Sequence, residues 1–109
     1  MANTFKLKTS TGVGTSAATI YTTPSATATT VIGLSIANTT TSAIEVDVQV
    51  ENNDGDNIYI VKAAPVPVGG SLVAVGGDQK VVMEADDILK VTSDTASSAD
   101  VALSILEIS

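Results

Sequence analysis

The chain has 109 residues and a net charge of −7, from 12 acidic side chains against 5 lysines, and it contains no His, Cys, Trp or Arg. A chain of this length makes one domain around one core, and without cysteine it has no disulfide, thiol nucleophile or thiolate zinc site. Its acidic field repels phosphate backbones and anionic lipid, which argues against nucleic-acid and membrane partners.

The apolar fraction of 44% comes mostly from Val, Ile, Leu and Ala, with Phe5, Tyr21 and Tyr59 as the aromatics. Small branched side chains of this kind favour strands. Residues 1–8 lack the apolar run of a signal peptide, and nowhere do eighteen apolar residues follow one another, so synthesis in a cytoplasm and no membrane span are expected. Residues 9–30 are almost wholly Thr, Ser, Ala and Gly, with an apolar island at Ala18-Thr19-Ile20-Tyr21. Such a segment buries too little to fold alone. Residues 1–17 are accordingly set apart as an extended N-terminal arm, read either as a flexible leader or as a segment that orders on a neighbouring subunit, and residues 18–109 as a β-sandwich domain.

Residues 30–38 read as a strand with Ile32, Leu34 and Ile36 on one face, closed by Asn38 and a threonine turn. The segment Ile44-Glu45-Val46-Asp47-Val48-Gln49-Val50-Glu51 alternates without a fault, which makes it a half-buried strand with an acidic outer face. The Asp54-Gly55 pair marks a hairpin to an antiparallel strand at 57–63. Pro65 and Pro67 belong at an edge or a corner between sheets, because proline cannot donate to a central ladder. Further strands are predicted at 71–75, at 80–84 and 88–93 flanking the turn Ala85-Asp86-Asp87, and at 100–108 with Val101, Leu103 and Ile105 inward. Eight or nine short strands with turn chemistry between them predict an all-β, antiparallel β-sandwich of jelly-roll type. Few lysines guard its candidate edges, so oligomerisation is expected to cover them.

Reactive chemistry is scarce. Ser and Thr are abundant but have no histidine base and no Gly-x-Ser-x-Gly elbow. Glu45 and Asp47, as i and i+2 neighbours, have a spacing a glycosidase could use, and Asp86 with Asp87 forms a second acidic pair. With almost no aromatic to stack a sugar, both pairs read as solvated faces. Residues 52–57, from Asn52 to Asn57, imitate a calcium loop, but aligning Gly55 with the EF-hand glycine puts Val50 and Val61 at ligand positions. A looser calcium site at Asp54 and Asp56, or a shallow glycan site adding Tyr59, Asn52 and Asn53, is the alternative to a plain turn. Neither cofactor nor catalytic residue is assigned, and no enzyme activity is expected.

Ile20-Tyr21-Thr22-Thr23-Pro24, Val31-Ile32-Gly33-Leu34-Ser35-Ile36-Ala37-Asn38, Val66-Pro67-Val68-Gly69-Gly70-Ser71-Leu72 and Met83-Glu84-Ala85-Asp86-Asp87-Ile88-Leu89-Lys90-Val91 together resemble small virion proteins of tailed bacteriophages. The last two segments look like the later hairpins of those proteins, with Asp86 standing where the acidic turn usually has glycine. The resemblance implies a β-sandwich in the virion, made in the host cytoplasm: a capsid decoration or cement protein bound to the major capsid protein or other virion subunits, with a homotrimer as the favoured unit. A neck, tail or fibre component is the alternative implied by the same likeness. A host-surface carbohydrate-binding module is the rival from another class.

Overall fold

The computed structural model describes residues 3–76 and 80–109. Among these lie nine strands: β1 (Asn3–Val13), β2 (Ala18–Thr22), β3 (Ala28–Asn38), β4 (Ile44–Glu51), β5 (Asn57–Val66), β6 (Ser71–Val75), β7 (Val81–Met83), β8 (Ile88–Ser93) and β9 (Ala99–Ile108). All pair antiparallel. One sheet runs β1-β9-β3-β6, with β7 also on β3, and the other runs β2-β8-β4-β5. Apart from the β4–β5 hairpin and the β6-to-β7 step, successive strands cross between the layers, and this interleaved order is that of a jelly roll.

Alternation builds the core. Ile44, Val46, Val48 and Val50 of β4 are buried, and so are Val101, Leu103 and Ile105 of β9. They meet Leu34 and Ile36 of β3, Leu89 and Val91 of β8, Val75 and Met83 in one apolar cluster. Branched side chains on facing sheets interdigitate across about 10 Å, which fills the space without large aromatics.

Four features depart from the sequence reading. First, residues 3–13 are extended as expected but are no detached arm: β1 pairs with β9 from Asn3↔Ile108 to Ser10↔Val101. Ladder hydrogen bonds to β9 supply the partner that the hydroxyl-rich composition could not supply locally. Second, a bulge between Val31 and Gly33 in the pairing with β9 inserts Ile32 as an extra residue. The bulge reverses the alternation, so Val31 is fully buried and Ile32 half-buried.

Third, the corners Pro67–Gly70 and Glu84–Asp87 are not hairpins, because β5 and β6 lie in different sheets, as do β7 and β8. Turn chemistry reverses a chain whether or not the flanking strands then pair. The hairpin expected at Asp54-Gly55 does form, joining β4 to β5, and Pro65 sits on β5 at the sheet edge.

Fourth, the edges are better guarded than composition suggested. Lys6 and Lys8 lie on edge strand β1 opposite inward-facing Ile105 and Leu103. Edge strand β5 carries Lys62, Pro65 and register shifts about Val48 of its partner, with Ala63 at φ 52°. The remaining edges are short, at five residues for β2 and β6 and three for β7. Inward charges, bulges and brevity all discourage pairing with another chain.

Candidate interaction surfaces

Between the sheets, the Tyr21 hydroxyl of β2 donates to Glu107 Oε2 of β9. A phenol has one proton, so the 2.9 Å contact between Tyr21 Oη and Thr29 Oγ1 has Thr29 donating. Lys6 Nζ of β1 lies 2.9 Å from Glu107 Oε1. Burial first, then the Glu107 hydrogen bond, raises the Tyr21 pKa to about 12. Hydrogen bonds from Tyr21 and then Lys6 hold the Glu107 carboxyl below its ordinary range. Four strands from both layers are joined here by a satisfied polar cluster at one end of the core.

The acidic residues singled out from sequence have structural partners. Asp87 is buried; its Oδ1 accepts the Asn53 N–H at 3.0 Å and its Oδ2 the Glu84 N–H at 2.8 Å. Asp86 has φ 71°, the left-handed conformation for which glycine is the usual choice. Backbone bonds between Thr23 and the Asp86-Asp87 pair, at 2.9 and 3.0 Å, tie this corner to the end of β2.

In the 52–57 loop, Asn52 is the organiser: its Oδ1 accepts the N–H groups of Asp54 at 3.1 Å and Asp56 at 2.9 Å. Gly55 takes φ 97°. This is a self-capped turn. Among the described residues no three His, Cys, Asp or Glu converge as a metal site. Another turn is organised by Asn38, the buried last residue of β3, whose amide donates to the carbonyls of Ser42 at 2.8 Å and Val66 at 3.1 Å.

Glu45 and Asp47 do share the outer face of the β2-β8-β4-β5 sheet. Asp47 is engaged in the fold, its Oδ1 accepting the Ala63 N–H at 2.7 Å beside the β5 irregularity. Glu51 pairs with Lys90, and Lys62 Nζ lies 4.6 Å over the Tyr59 ring. This face is charged, with Glu45, Asp47 and Glu51 set among Lys62 and Lys90. No pocket opens on it or elsewhere among the described residues.

The opposite outer face has another chemistry. Residues directly across an antiparallel ladder point to the same side, and the register places Phe5, Leu106, Thr30 and Val82 in one row across four strands. A second row holds Thr9, Ala102, Ser35 and Val73. Phe5 is 75% exposed, Leu7 63%, Val73 65% and Val82 66%. Among the paired, described residues of this face, the one charged side chain is Asp100, near the chain's crossing to β9. Sequence reasoning missed the surface because its members lie on five strands. The available clue was Phe5-Lys6-Leu7-Lys8, whose alternation separates apolar from charged neighbours.

No family model matches the chain, and no curated protein does. Among solved structures, it is similar to a chain from Bacillus endospore appendages, described as a novel family of disulfide-linked pili, with 13% identity, a TM-score of 0.55, and coverage of 97% of this chain and 84% of that one. It is also similar to a chain of infectious bursal disease virus, Gt strain, at 8% identity and a TM-score of 0.46, covering 97% of this chain and 32% of the other. The first likeness bears on the fold alone.

Proposed function

We propose that this protein is a non-enzymatic structural subunit of a protein assembly, and specifically a virion protein that decorates or cements a capsid through contacts with shell subunits. The observation that carries the reading is the contrast between the two outer faces, one charged, the other nearly free of charge and setting exposed Phe5, Leu7, Val73 and Val82 among small hydroxyl-bearing residues. Exposed apolar sheet of this extent suits contact with protein. The lack of His, Cys and Arg is in keeping with a part that works by fitting rather than by reaction.

The Bacillus appendage likeness favours a second reading within the same class, a subunit of a surface appendage. This chain has no cysteine, so it lacks the residues for the disulfide links named for that appendage. Quantitative mass spectrometry of purified particles from the source culture tests both. Hundreds of copies per virion support decoration, and a dozen or fewer indicate neck, tail or fibre. Recovery in filaments supports the appendage reading, and absence from every particulate fraction overturns the proposal.

A further inference from the structure

We infer that the outer face of the β1-β9-β3-β6 sheet binds the same face of a second copy, making a two-fold dimer with the two five-stranded sheets stacked. The inference deepens the structural-subunit reading by naming the contact surface and its first occupant.

Three observations lead there. The edges are guarded, by inward Lys6 and Lys8 on β1, by Pro65 and irregular register on β5, and by brevity elsewhere. Association by strand addition is therefore opposed, and a face is left.

Charge selects the partner. Each copy carries −7, and copies meeting through the face of Glu45, Asp47, Glu51, Lys62 and Lys90 would have to desolvate charged groups already engaged within the chain, Glu51 with Lys90 and Lys62 with Tyr59. Stacked through the other face, the charged surfaces stay in water and are separated by three sheet spacings, about 30 Å, which is about three screening lengths at 0.1 M salt. This stacking buries exposed Phe5, Leu7, Val73 and Val82 while leaving the charged face of each copy in water.

The area suffices. Four strands at about 4.8 Å spacing and ten residues at about 3.4 Å each give a face of roughly 650 Å², so a stacked pair buries about 1,300 Å², at the lower end of specific interfaces. Two such faces can pack on each other as sheets with their strands offset by the sheet twist, and under a two-fold axis one patch meets itself. Such a unit is a dimer, in place of the trimer expected from the phage resemblance.

The test is sedimentation equilibrium of the full chain at roughly 100 µM, where interfaces of micromolar affinity are populated, with circular dichroism to confirm folding. The wild type is expected at twice 11.0 kDa, little affected by raising NaCl. Leu7→Lys with Val82→Lys should give a folded monomer, even though both changes lower the net negative charge. Glu45→Lys, on the charged face, should remain dimeric. A wild-type monomer, a trimer, or a Leu7→Lys, Val82→Lys protein that stays dimeric would overturn the inference. A wild-type monomer that still binds particles, and loses that binding in the double variant, would assign the face to a foreign subunit, leaving the structural-subunit reading intact while removing the second copy.

Discussion

The Tyr21 phenol, carried by one sheet, donates its proton to the Glu107 carboxylate, carried by the other, and Lys6 closes the group from the edge strand. This pairing makes the stability of the sandwich depend on pH at both ends of the scale. Glu107 has a depressed carboxyl pKa, so its contribution is present above the ordinary carboxylate range and lost as pH falls through the lower, folded value. Tyr21 has a raised pKa, so its contribution is present below the ordinary pKa of 10.0 and lost as pH rises toward about 12. Urea melts against pH should show both limbs. Glu107→Gln should flatten the acid limb and Tyr21→Phe the alkaline one, with Tyr21→Phe costing about 1–3 kcal/mol at neutral pH because Glu107 and Thr29 lose a buried partner.

Deleting residues 1–17 tests whether this segment is an appendage or a strand. Because β1 covers β9 over most of its length and brings Lys6 to Glu107, its removal should leave β9 as a bare edge. The truncated protein is expected to melt lower and aggregate, as light scattering during a thermal ramp would show; an unchanged melting temperature would mean that β1 adds nothing to the fold.

Asp86 occupies a left-handed position. Asp86→Gly should leave stability unchanged or raise it by up to about 1 kcal/mol, whereas Asp86→Val should lower it by about 1–2 kcal/mol. Chemical denaturation of the pair separates backbone strain from loss of a carboxylate, since both variants remove the charge.

Asn52, rather than the aspartates beside it, should dominate the 52–57 loop. Asn52→Ala removes the acceptor of two backbone N–H groups and is expected to cost about 1–2 kcal/mol, with Asp54→Ala close to neutral. Equal losses in the two variants, or a calcium-dependent rise in melting temperature abolished by Asp54→Ala, would restore a ligand role for the loop.

Much of this architecture was legible locally. The alternation of β4 and β9 specified strands with one buried face, and Asp54-Gly55 specified a hairpin, because side-chain period and turn conformation are properties of a few consecutive residues. The absence of His, Cys, Trp and Arg likewise narrowed the chemistry without reference to a fold. What tertiary structure decided were the relationships between distant residues. Pairing with β9 made a strand of the supposed arm, and one bulge at Ile32 put Val31 in its place on the inward side of β3, with Leu34 and Ile36 buried as their alternation predicts. Glu107 is tolerated as an inward residue because Tyr21 and Lys6 arrive from two other strands to satisfy it, with Thr29 in turn bonding the Tyr21 hydroxyl. Phe5, Val73, Val82 and Leu106 became one surface because antiparallel register sets residues far apart in sequence side by side, and no local pattern encodes that adjacency.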